Sequence, residues 1–135
     1  MKEEYVTYEQ AVKLKKMGFD WDVNKVYHRP STLAEWELFP WHSEYNDWNN
    51  EGKFYISAPT LSLAQKWLRK KHCLSVEPIC NMVRQWNVNV CEIDNFGIAV
   101  YSKMNLETYE SALSAGIDAA LRLLTDKLNS LHDKE

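Results

Sequence analysis

Between Thr108 and Leu131 the chain places Leu113, Ile117, Leu121, Leu124, Leu128 and Leu131 at steps of four, four, three, four and three residues. That spacing is the apolar stripe of an α-helix. The first half of the segment also carries Ala112, Ala115, Gly116, Ala119 and Ala120, small enough for a sheet to approach closely. Asp118 and Arg122 form a supporting i,i+4 pair. At ~1.5 Å per residue this helix is ~36 Å long, whereas a strand of ordinary length spans ~17–20 Å. The stripe therefore demands a partner surface, and the last two turns overhang any sheet that supplies one. Leu124, Leu128 and Leu131 occupy the overhang. They pack on the N-terminal helix, pair with a second copy, or fray; the stripe predicts self-association.

The region before it supplies the sheet. Leu61, Ala64, Trp67 and Leu68 share one face of a helix that starts after Pro59-Thr60. Three strands follow: LSVEPIC (74–80), RQWNVNVCEI (84–93) and GIAVYSK (97–103), the last two joined by the turn DNFG (94–97). Pro78 marks the first as an edge or a bulge. Trp86, Val88 and Val90 alternate with Asn87 and Asn89, giving one buried and one wet face.

The N-terminal segment TYEQAVKLKKMGF opens with Thr7 as N-cap and Gln10 three residues on, a capping-box pattern. Glu9 in its first turn and Lys13, Lys15 and Lys16 in its last suit the helix dipole. Gly18 stops it as a left-handed residue, with Phe19 folding back on Leu14. Its expected buried side is Tyr8, Ala11, Val12 and Leu14. TYEQAV (7–12) and TYESAL (108–113) echo each other through shared cap chemistry, not as a repeat. Residues 26–29, 33–39 and 53–57 read as short strands around turns at Pro30-Ser31 and at 49–52. The fold expected is a single α+β domain over 1–135: a small antiparallel sheet of three or more strands packed against helices. Its core order is α-β-β-β-α, with an additional N-terminal helix, and residues 26–57 could extend the sheet.

Composition removes several functions. A formal charge of −3 counts against nucleic acid, whose binders usually carry a basic excess. No apolar run approaches the ~20 residues that span a bilayer, and MKEEYVTYEQ has no apolar signal core, so the expected location is cytoplasmic. Cys73, Cys80 and Cys91 are few and odd in number, which suits reduced thiols. They lack the close pairing of a zinc knuckle, so neither a metal nor another cofactor is expected. Strand parity places Cys80 with Leu74 and Val76, in a packing role.

The sequence brings together no catalytic set. There is no G-x-S-x-G, H-E-x-x-H or glycine-rich phosphate loop, and four glycines leave little for a phosphate cradle. Glu35/Glu37 and Glu44/Asp47 are paired carboxylates of a kind that surface acids often produce. An enzyme is thus not the first expectation. The basic helix end KWLRKKH (66–72) offers Lys66, Arg69, Lys70 and Lys71 as phosphate contacts, although the helix dipole alone accounts for them. WELFPWHSEYNDWN (36–49) crowds rings among acids and amides without a period. Trp36, Phe39, Trp41, Tyr45 and Trp48 either cover a small sheet or line a ligand site. Trp41, His42 and Trp48 are the candidate ligand-binding residues.

The stretches VTYEQAVKLKKMGFD (6–20), ISAPTLSLAQKWLRKKH (56–72) and TYESALSAGIDAALRLL (108–124) together resemble a group of small uncharacterised proteins of gut bacteria, their prophages and phages. The resemblance carries no activity, cofactor or site residue, and implies a cytosolic, mobile-element setting. The order α-β-β-β-α is also similar to that of double-stranded-RNA-binding domains. Those domains place lysines at the start of the last helix, where this chain has Glu107 and Glu110. The function expected is a non-catalytic binding or accessory protein, its partner either an unknown protein or a second copy. Nucleic-acid contact through the basic helix end and a small-molecule site among the 36–48 aromatics are the alternatives.

Overall fold

The structure, a computed structural model, describes residues 4–40, 47–50 and 52–133. Among them the chain forms an α+β fold of three α-helices and two separate three-stranded antiparallel sheets. Residues 25–57 thus build a sheet of their own and do not lengthen the C-terminal one. The chain divides into two compact units, Met1–Thr60 and Leu61–Glu135.

In the N-terminal unit, α1 spans Tyr8–Lys16 and is fixed at both ends by local chemistry. The Thr7 hydroxyl accepts from the Gln10 N–H at 3.2 Å, and the Gln10 carboxamide accepts from the Thr7 N–H at 2.9 Å. Gln10 is consequently buried, a position the apolar pattern alone would have given to Val12, which is half-exposed. At the far end Gly18 adopts φ +88°. The Phe19 N–H then reaches the Leu14 carbonyl at 2.9 Å, and both side chains lie in the core. This is the left-handed ending that a β-carbon disfavours.

Three short strands follow: β1 (Lys25–His28), β2 (Glu37–Pro40) and β3 (Tyr55–Ser57), in the order β2-β1-β3. The second strand starts later than its sequence suggests. A turn closed from the Ala34 N–H to the Ser31 carbonyl at 3.1 Å occupies 31–34 and leaves Leu33 in water. Lys15 spends its charge on α1's neighbours, donating to the Gly52 and Tyr55 carbonyls at 3.2 and 3.0 Å. Partial burial there lowers its pKa from the ordinary lysine value. Asn49 clasps the unit from a 3-10 turn at Trp48–Asn50, donating to the Phe19 carbonyl and accepting from the Ser57 N–H, each at 2.8 Å.

The C-terminal unit runs α2 (Leu61–His72), β4 (Leu74–Cys80), β5 (Trp86–Glu92), β6 (Ile98–Leu106) and α3 (Tyr109–Asp133), with sheet order β4-β5-β6. Pro78 sits on the outer strand β4, opposite Val88, as its missing N–H requires. Leu74, Val76, Val88 and Val90 are buried on the helix-covered face, together with Leu61, Ala64, Trp67 and Leu68 of α2. Phe96 and Gly97 take left-handed φ values of +57° and +69° in the β5–β6 turn. The β5–β6 ladder breaks register twice, between Trp86 and Val88 and between Val90 and Cys91, so β6 runs longer than the alternation predicts.

α3 lies against β4, β5, β6 and α2 through Ala112, Leu113, Ile117, Ala120 and Leu121, all buried. Its cap repeats the logic of α1, with the Ser111 N–H donating to the Thr108 hydroxyl at 2.9 Å. Gly116 makes the approach possible. A β-carbon there would collide with Val76 and would stand 2.7 Å from a methyl of Val88.

Two substitutions test this frame. Gly116→Ala should destabilise the protein by about 1–3 kcal/mol through overpacking, although alanine is the better helix former by ~1 kcal/mol. Urea denaturation reads the sign, and a stabilised variant contradicts the packing described. Thr7→Ala should cost ~1 kcal/mol through loss of the cap, seen as a lower urea midpoint at unchanged slope.

Candidate functional site

In the N-terminal unit, strand alternation sorts the side chains of residues 35–39. Across β1 and β2, His28 pairs with Glu37, Tyr27 with Leu38 and Val26 with Phe39. Residues two apart share a side of an extended chain, so Glu37 and Phe39 belong to the His28 side, and Glu35, just before β2, lines the cavity on that side. Trp36 goes the other way. Its ring lies 5.6 Å from that of Tyr8, and the Arg29 guanidinium sits 4.7 Å from its centroid.

On the His28 side, His28, Pro30, Ala34, Glu35, Glu37 and Phe39 line a cavity of about 320 Å³. The imidazole stacks on Tyr55 at 4.8 Å and meets Phe39 edge-on at 6.2 Å. One ring face is therefore already covered, and the cavity offers a histidine edge, two carboxylates and the Phe39 ring. The sequence singles out Glu35 and Glu37 as a carboxylate pair, but not His28 as their neighbour. The signal for it is the alternation E-W-E-L-F, which fixes the side only once the pairing with β1 is known.

The ligand residues expected from the aromatic stretch are placed differently. Trp48 is 6% exposed and packs on Tyr55 with centroids 5.5 Å apart, so it covers the sheet and does not line the cavity. Trp41, His42 and Tyr45 lie outside the described residues.

In the C-terminal unit, Lys66, Arg69, Lys70 and Lys71 are exposed. Among the described residues none of the four enters an ion pair; the pair found there is Lys127–Glu92 at 3.9 Å. They end α2, where positive charge is favoured by the dipole. Trp67 behind them is buried against His72, with ring centroids 4.7 Å apart, and burial lowers the His72 pKa. Leu124, Leu128 and Leu131 form a gradient. Leu124 is half-buried and lines a small notch of about 40 Å³ with Leu74, Glu92, Val100, Leu123 and Lys127. Leu128 and Leu131 are 41% and 65% exposed, as the overhang implies.

Two of the thiols, Cys91 and Cys73, are disarmed. The Cys91 sulfhydryl donates to a Glu77 carboxylate oxygen at 3.2 Å, and burial followed by that acid pushes its pKa up. A hydrogen bond with Asp94, then burial, does the same to Cys73. Nucleophilic cysteines need the opposite environment. Cys80, expected to pack, is exposed at the last position of β4; Cys91 on the other face is the buried one. Among the described residues no group of three His, Cys, Asp or Glu could hold a metal ion, and no helix is long and apolar enough to cross a membrane. The chain matches no protein-family model, no curated protein and no solved structure.

The raised Cys91 pKa makes a signed prediction. The folded state holds this proton more tightly than the unfolded chain does. Its contribution to stability is complete below the ordinary thiol value of 9.0 and is lost as pH rises through the raised value. The urea midpoint should fall as pH rises from 9.0 toward the raised value, and fall less steeply in Cys91→Ala. At neutral pH, maleimide should label Cys80 well before Cys73 or Cys91, and Cys80→Ser should abolish the fast phase.

Proposed function

We propose that this chain is a non-catalytic binding or accessory protein whose C-terminal unit acts through a protein interface, with a second copy as its first partner. A phage or mobile-element setting rests on the resemblance of its helix motifs. The observation that carries the reading is an apolar strip on the C-terminal unit. It runs from Val100 on β6, across Leu124, to Leu128 and Leu131 on α3. Ile98 beside it is 51% exposed and Phe96 at the turn 98%. Glu92 and Lys127 stand at the edge of the strip. Apolar surface left in water costs ~25 cal/mol per Å², and an apolar strip with a charged rim is the anatomy of a contact surface. A two-fold axis would set this patch against itself. Cys91 and Cys73 stand beside Glu77 and Asp94, whose contacts help raise the thiol pKa values and keep both thiols protonated, which favours binding over catalysis.

Sedimentation across a hundredfold range of concentration should show a monomer–dimer equilibrium. Leu128→Glu with Leu131→Glu should weaken it at least tenfold, a change of about 1.4 kcal/mol or more, with helix content unchanged. A monomer at the highest concentration removes the second copy. Photo-crosslinkers at Val100, Leu128 and Lys70 in cells then decide the partner. Protein adducts at Val100 and Leu128 keep the interface; nucleic-acid adducts at Lys70 alone replace it with contact through the basic end of α2.

A further inference from the structure

We infer that the cavity on the His28 side of the N-terminal sheet is a binding site for a short aliphatic amine, held by one or two primary ammonium groups. This stands apart from the interface above, since it uses only residues of the N-terminal unit. The cavity of about 320 Å³ falls at the small end of the ~300–1,000 Å³ typical of ligand sites. Its polar wall is Glu35, Glu37 and His28, and its apolar wall is Pro30, Ala34 and Phe39.

Charge decides what can enter. Neither Glu35 nor Glu37 has an ion-pair partner among the described residues. Arg29, the cation nearest in sequence, is turned onto the Trp36 ring on the opposite side. Residues 1–60 contain 7 lysines and arginines against 10 aspartates and glutamates, while residues 61–135 contain 9 against 9. The chain's whole negative excess thus lies in the unit that holds the cavity. An anion would meet two carboxylates of its own sign. A wholly apolar ligand would desolvate those carboxylates without compensation. Among the described residues these side chains do not converge as a metal-ligand set.

A primary ammonium meets each requirement. Its three N–H donors suit carboxylate acceptors, and its alkyl stem suits Phe39, which is 46% exposed. Glu35 lies just before β2 and Glu37 begins it, so both carboxylates reach the cavity from one short segment, and a flexible four-carbon diamine offers an ammonium to each. A quaternary ammonium would need several ring faces around it. Among the described residues Phe39 is the aromatic wall of the cavity, and one face of the His28 ring is taken by Tyr55.

The test is a titration of the full chain with 1,4-diaminobutane, followed through the His28 and Phe39 ring signals by NMR at constant pH and ionic strength. Saturable shifts confined to the N-terminal unit are expected. The double variant Glu35→Gln/Glu37→Gln should weaken binding at least tenfold, and Phe39→Leu a few-fold. All three positions are exposed, and unchanged dispersion of the remaining signals reports that the fold is intact. Tetramethylammonium should bind at least tenfold more weakly, and propionate not at all. No saturable shift with the diamine, equal shifts with tetramethylammonium, or undiminished binding by the double glutamine variant would each overturn the assignment.

Discussion

The close approach of α3 to the β4–β5 pair at Gly116 is the contact on which the C-terminal unit depends. Val76 and Val88 occupy the space where any larger residue would place its β-carbon. The helix can therefore lie low on the sheet and bury Leu113, Ile117 and Leu121 at once. Without that approach, Ala112 and Ala120 would be too short to reach the strands. The small residues set the distance, and the leucines use it. The same geometry limits the cover, because the sheet ends before the helix does. Leu128 and Leu131 are left without a floor, and the exposed apolar strip is a consequence of element lengths.

The N-terminal unit solves a harder problem with less regular structure. Its strands are only three or four residues long. Rings and side-chain hydrogen bonds replace ladder length. Trp48 and Tyr55 close one side of the unit, while Tyr8, Trp36 and Arg29 stack on the other. The Tyr27 hydroxyl donates to the Val6 carbonyl at 2.8 Å, and Asn49 ties the 3-10 turn to both Phe19 and Ser57. Sharing the rings between two faces also opens the cavity, since Trp36 and Glu37 are driven to opposite sides by the same alternation.

The parts of the fold that could be read in advance are those governed by neighbours in sequence. Thr7 and Gln10, Gly18 and Phe19, and Thr108 and Ser111 act within six residues of one another, and their caps form where the pattern places them. The 84–103 hairpin and the face shared by Val88 and Val90 follow from alternation alone. Cys80 illustrates the limit. Its parity with Leu74 and Val76 is right, but parity names a face and not how far the cover extends along it. β2 is a second case, because the turn at 31–34 competes locally with the strand pattern and takes its first residues.

The sequence by itself determined the three helices, the caps that start α1 and α3, the buried stripe of α2 and the succession of the C-terminal strands. Each of these depends on dihedral preference and periodicity over a few turns. Only the tertiary structure decided that residues 25–57 form a second sheet, that Trp48 is a covering ring, and that His28, Glu35, Glu37 and Phe39 face one cavity. Those outcomes require knowing which strand lies beside which. That choice rests on the summed burial and hydrogen bonding of segments as far apart as Val26 and Ser57, which no local window contains.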